Sequence, residues 1–119
     1  MKTLLINPFA RTITETEFNG SLDAMYDLLH CSIVEGVYCN DLGEALFDDG
    51  NILFVDEEGL LGNLSEQAFF IIDDKPIAGY AMTTNSDAEG NTIESTVTLE
   101  ELKVKVEWAT LVELRALYE

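Results

Sequence analysis

His30, Cys31 and Cys39 are the residues whose types suit covalent or metal chemistry: a thiol beside an imidazole can be a nucleophile with its base, or the start of a ligand set. Their spacing argues against both. Zinc sites in chains of this size use paired Cys-x2–4-Cys or His spacings, and this single histidine falls at the predicted C-terminus of a helix, where its cation suits the dipole. Asn85-x-Asp87-x-Glu89-Gly90 copies the first half of a calcium loop, with oxygens at alternate positions and glycine at the sixth. The twelfth position should supply a bidentate glutamate and is Thr96, so the segment reads as a polar hairpin tip. Gly59-Leu60-Leu61-Gly62 lacks the lysine and the strand-turn-helix spacing of a phosphate loop. Pairs of carboxylates carry no message either, because 23 acids always offer pairs. The expectation is a protein that is not an enzyme and uses no cofactor and no metal.

The acids matter collectively. The chain has 119 residues, with 23 Asp and Glu against 6 Lys and Arg, a formal charge of −17. Hydrophobic residues make up 47% and charged ones 24%, so the acidity comes from a lopsided choice among charged types in an ordinary globular composition. One domain over residues 1–119 is expected. Direct binding to nucleic acid is excluded on charge, since such binding needs clustered Lys and Arg, and anionic membrane surfaces are disfavoured likewise. No run of 18 apolar residues exists, and the opening Met1-Lys2-Thr3-Leu4-Leu5-Ile6 is broken by Asn7-Pro8 before a signal core can form, which predicts a cytoplasmic protein with free thiols.

Residues 12–74 hold fifteen carboxylates and no Lys or Arg. Such self-repulsion opposes folding, which leaves solubility or a basic partner as its use. Asp48-Asp49, Asp56-Glu57-Glu58 and Asp73-Asp74 bunch at predicted turns, and these seven are the candidate partner-binding residues. A chain of this mass exposes on the order of 6,400 Å², so an even spread gives about one carboxylate per 280 Å². Duplex DNA carries about one charge per 110 Å². Imitation of DNA therefore requires the acids to gather on one face. The expected function is engagement of a basic surface on a nucleic-acid-handling host or viral protein, with mimicry of DNA as one mode. Two alternatives stay open: a small-ligand or signal-nucleotide sequestering protein, and a structural or assembly accessory. The first would need a pocket gathering Lys75, Lys103, Lys105 or Arg115.

The elements that must position these groups follow from periodicity. Residues 2–9 and 11–18 read as an antiparallel hairpin, and Asn19-Gly20-Ser21 caps an amphipathic helix over residues 21–29. Ile33, Val34, Val37 and Tyr38 suit a strand with a bulge at Gly36. Short strands are expected at Ala45-Leu46-Phe47, joined to Ile52-Leu53-Phe54-Val55 by an Asp-Gly hairpin turn, then at Phe69-Phe70-Ile71-Ile72 and over residues 77–84. A helical turn is expected at Ser65-Glu66-Gln67-Ala68. Thr98-x-x-Glu101 and Thr110-x-x-Glu113 fit the capping box and predict two helices, with a strand competing across Val104, Val106 and Trp108. The fold class is α+β: a mainly antiparallel sheet of five to seven short strands with two or three short helices packed on it. Phe69-Phe70 points to both faces of its strand, so one ring is expected under a helix or against a second copy, as in a homodimer.

The order Ile6-Asn7-Pro8-Phe9, Met25-Tyr26-Asp27-Leu28-Leu29, Val55-Asp56-Glu57-Glu58-Gly59, Pro76-Ile77-Ala78-Gly79, Asp87-Ala88-Glu89-Gly90 and Leu99-Glu100-Glu101-Leu102 resembles a family of small acidic phage and mobile-element proteins of unknown function. The resemblance covers roughly residues 1–108 and runs through turns and core positions, including a central Asp-Glu-Glu-Gly turn. It implies a viral or plasmid origin and an α+β fold, and it carries no catalytic residue.

Overall fold

In the computed structural model, which describes residues 1–48 and 50–118, the first hairpin forms as its alternation predicts. β1 (Lys2–Asn7) and β2 (Thr12–Glu17) pair antiparallel from Lys2↔Glu17 to Asn7↔Thr12. Asn7 closes the turn because its side-chain oxygen accepts the N–H groups of Phe9 and Ala10, each at 3.1 Å. α1 (Leu22–Leu29) starts where Ser21 Oγ accepts the N–H of Ala24 at 3.1 Å, and it stops at His30, which takes the left-handed conformation.

β3 (Val34–Val37) and β4 (Ile52–Asp56) form the next antiparallel pair, and β5 (Phe69–Ile72) and β6 (Lys75–Ala78) the third. β7 (Ala81–Ser86) is followed by the two-residue β8 (Thr92–Ile93), α2 (Leu99–Lys105), β9 (Val106–Ala109) and α3 (Leu111–Tyr118). The larger sheet runs β2-β1-β7-β4-β3, with β8 on the far end of β7; the smaller runs β6-β5-β9.

Side-chain alternation then stacks the layers. Leu4, Ile6, Leu53, Val55 and Ala81 on one face of the larger sheet meet Phe70, Ile72, Ile77 and Val106 of the smaller one, and Leu102 of α2 closes the end of this core. The opposite face of the larger sheet, at Met82, is covered by Phe18 and by Met25 and Leu29 of α1. The outer face of the smaller sheet buries Phe69, Ile71 and Ala109 under Leu114 of α3. β5 is thus covered on both faces, which is why it reads as an unbroken apolar run. Phe69 lies under a helix, so neither ring of the Phe69-Phe70 pair supplies an exposed surface for a second copy.

The α+β class holds, and four expectations are corrected in detail. The strands divide into two sheets, because the segment over residues 77–84 is broken at Gly79, whose φ of +85° turns the chain from the smaller sheet into the larger. Gly36 carries no bulge, since β3 and β4 pair residue for residue from Val34↔Asp56 to Val37↔Leu53. Ala45-Leu46-Phe47 is not a strand: Ala45 makes one isolated bridge to Cys39, and Leu46 plugs the core instead. The Asp-Gly hairpin falls with it, and β4 pairs with β3 across the long connection. The helical turn expected at Ser65-Glu66-Gln67-Ala68 forms one residue earlier, as a 3-10 turn at Leu64–Glu66 held by Asn63 Oδ1 on the N–H of Ser65. At the C-terminus helix and strand both occur: α2 ends at Lys105, and the alternating residues after it form β9. Among the described residues no helix is long and apolar enough to cross a membrane.

Candidate functional site

The residues of ordinary catalytic type are placed first. His30 stacks on Tyr80 with ring centroids 4.4 Å apart. Cys31 and Cys39 are free thiols, and burial, then the nearby Asp56 carboxylate, push the Cys31 thiol up, the reverse of what an activated nucleophile needs. Asp87 Oδ1 accepts the N–H groups of Glu89 and Asn91, both at 2.9 Å, and Oδ2 accepts the Asn91 amide at 3.1 Å. These bonds, led by those from Asn91, hold its carboxyl below the usual range. The tip between β7 and β8 is therefore closed on its own main chain. Among the described residues no group of three His, Cys, Asp or Glu is placed to hold a metal ion.

The sandwich has two open sides, and they differ in charge. On one, edge strand β3 faces edge strand β6 across a groove of about 120 Å³ lined by Glu35, Asp56, Glu57 and Lys75. The Asp56-Glu57-Glu58 turn is fixed there by its own bonds. Asp56 Oδ1 accepts the N–H of Glu58 at 2.9 Å, the N–H of Glu57 donates to the Ile33 carbonyl at 3.1 Å, and Gln67 Nε2 donates to the Gly59 carbonyl at 2.9 Å. Asp56 is accordingly a turn-former, while Glu57 and Glu58 stand exposed.

β6 begins at Lys75 and ends at Ala78, beside Gly59, so the Asp73-Asp74 turn stands at the other end of the same side. Both aspartates have positive φ, 45° and 67°, as the two-residue connection between β5 and β6 requires. Asn40 Nδ2 donates to the Asp73 carbonyl at 3.1 Å, and Lys105 Nζ meets Asp73 Oδ2 at 3.1 Å while lying 5.9 Å from the Phe47 ring centroid. Lys75 Nζ pairs with Asp41 at 3.1 Å. The structure thus brings Asp56, Glu57, Glu58, Asp73 and Asp74 to one side, at its two ends. Asp48 does not line the groove between β3 and β6: it lines a second, polar groove with Asn51, Thr96 and Lys105, which adjoins the Asp73 end through the Lys105–Asp73 pair; Asp49 lies outside the described residues.

Glu35 and Asp41 belong to this side and sequence reasoning passed them over. The signal for Glu35 was its place in a short strand between Val34 and Val37, where a carboxylate marks a solvent-facing edge. Asp41 gave none, because its place depends on Asn40, whose Oδ1 accepts the N–H groups of Leu42 and Glu44 and shapes that loop.

On the second side, edge strand β2 faces β9 across a groove of about 480 Å³ lined by Arg11, Ile13, Lys103, Val106 and Trp108. Lys75, Lys103, Lys105 and Arg115 do not share a pocket: the first and third are paired at the acidic side, and Arg115 borders an apolar hollow with Leu64, Phe69 and Leu111.

The model of the family described as a domain of unknown function, DUF3846, matches residues 1–107, and the chain belongs to that family. The match takes in every element from β1 to the first half of β9 and leaves α3 outside it. No curated protein and no solved structure matches the chain.

Proposed function

We propose that this protein is a phage- or mobile-element-encoded binding protein, not an enzyme, which uses the side between β3 and β6 to engage the basic surface of a nucleic-acid-handling host or viral protein. The observation that carries the reading is the charge along that side. Glu35, Asp41, Asp56, Glu57, Glu58, Asp73 and Asp74 line or terminate it against two lysines, Lys75 and Lys105. That is a formal excess of five negative charges along β6, whose four residues span roughly 13 Å. One backbone of a DNA duplex presents about four phosphates over that length. The whole surface does not match a duplex, since 6776 Å² shared among 23 acids gives about one per 300 Å². Mimicry is therefore a property of this one side, and it is directed at a partner that grips a single phosphate backbone.

In this mechanism the carboxylates occupy Lys and Arg sites that otherwise hold phosphates, so association is fast and nucleic acid is excluded competitively. The test is co-purification from a host extract over a series of salt concentrations. Basic, nucleic-acid-handling proteins released as the salt rises, with the Debye length shrinking to about 8 Å at physiological strength, are the expected result. Partners of ordinary charge retained at high salt would remove the reading.

A further inference from the structure

The opposite side of the sandwich carries a second site, and we infer that the groove between β2 and β9 binds a mononucleotide, its phosphate held by Arg11 and Lys103 and its base stacked against Trp108. Four observations converge. Arg11 and Lys103 come from distant parts of the chain, the turn before β2 and α2, yet line the same groove. Among the described residues Lys2, Lys75 and Lys105 are in ion pairs with carboxylates, whereas Arg11 and Lys103 are in none. Trp108, the only tryptophan, is half-buried beside Phe70, 6.5 Å away edge to face, and the remainder of its ring lines the groove with Ile13 and Val106. The volume of about 480 Å³ lies in the usual range for small-molecule sites.

The chemistry of these walls selects the ligand. Two cations match one phosphate monoester, which carries nearly two negative charges at neutral pH, and a guanidinium adds a planar fork suited to its oxygens. The indole and two aliphatic side chains suit a flat, weakly polar ring. β2 is the last strand of its sheet, so its outer main-chain groups are available to the ring's polar edge. Of the acids nearby, Glu15 shares the Ile13 face of β2 but reaches toward Lys2 at 3.9 Å, and Glu107, opposite Ile71, is on the outer face of β9. A longer polyanion would meet the acidic surface beyond the groove, which favours a single nucleotide over a strand of nucleic acid. The site shares no residue with the acidic side, so the two readings fail independently.

Trp108 is the reporter. Its emission, excited at the red edge of its band and corrected with free tryptophan, is titrated with adenosine monophosphate, adenosine, inorganic phosphate and a short single-stranded oligonucleotide, and calorimetry repeats each arm. The expected result is saturable change with the monophosphate at a midpoint below about 1 mM, with adenosine and phosphate each weaker. Arg11→Gln and Lys103→Gln are exposed-site substitutions that keep the fold by circular dichroism, and each should weaken binding about tenfold, the loss of one charge-assisted hydrogen bond. No saturable response, phosphate binding as tightly as the monophosphate, an oligonucleotide binding more tightly than either, or undiminished binding by the double variant would each overturn the assignment.

Discussion

Gly59→Ala tests whether the acidic turn is held by its contact with β6. A Cβ at this position would stand 2.7 Å from the carbonyl oxygen of Ala78, 3.2 Å from that of Asp56 and 3.4 Å from the Ala78 side chain. Two effects of opposite sign compete. Restricting the unfolded chain stabilises by about 0.4–1 kcal/mol where the native site accepts the methyl group, whereas overpacking costs about 1–3 kcal/mol. A contact of 2.7 Å to a main-chain oxygen cannot be relieved by turning a side chain, and both segments are tied, Ala78 by pairing with Phe69 and Gly59 by the bond from Gln67. Overpacking therefore wins, with a net loss of about 1–2 kcal/mol, or roughly 4–8 °C in melting temperature for a domain of this size. Gly62→Ala is the comparison: its Cβ meets nothing within 4 Å, but its φ of +83° charges about 1 kcal/mol for the left-handed backbone alone. Thermal unfolding followed by circular dichroism reads both. A Gly59→Ala variant that melts at or above the parent would refute the argument that the turn is pressed against β6.

Three further outcomes are expected. Cys39, exposed, should be alkylated before Cys31, whose thiol is raised by burial and by Asp56; peptide mapping after brief treatment reads the order, and Cys31 first would contradict it. Thr98→Ala should cost about 1 kcal/mol in denaturant unfolding, because Thr98 Oγ1 accepts the N–H of Glu101 at 3.1 Å at the start of α2. Asp87 has a folded pKa below its usual 3.8, so its contribution is fully present above that value and is lost as pH falls through the lowered one. Asp87→Ala should accordingly destabilise at neutral pH, with the difference from the parent shrinking in strong acid; a difference that grows on acidification would reverse the sign.

What could be read in the sequence was local. The hairpin at residues 2–17, the Ser21 cap and both Thr capping boxes were legible because each is fixed within a few residues by alternation or by one side-chain oxygen on one N–H. The division into two sheets was not, since it depends on Gly79 turning the chain between layers, a tertiary choice that leaves only an ordinary glycine in the sequence. Leu46 misled for a related reason. It is apolar because it fills the core from a loop, and a buried loop residue has the same composition as a strand residue. Among the acids, turn positions were legible and their relative placement was not: Asp56 and Asp73 share a side because β6 spans the distance between their turns, and Asp48 lines the adjoining groove instead because residues 45–47 do not form the expected strand. The groove around Arg11 was invisible because Arg11 lies some ninety residues from Lys103 and Trp108 in the chain.

The central claim is that the side between β3 and β6 is a binding surface, and charge reversal at Glu35 and Glu57 tests it most directly. Asp56 is left in place because its carboxylate forms the turn, so the double variant Glu35→Lys, Glu57→Lys changes the surface without removing a bond that holds it. Parent and variant are immobilised side by side, loaded with the basic partner recovered by the parent, and challenged with rising salt and with duplex DNA. The account predicts that the parent releases its partner to both challenges and that the folded variant captures none. Equal capture by the two proteins, or retention of the partner against excess duplex, would contradict it.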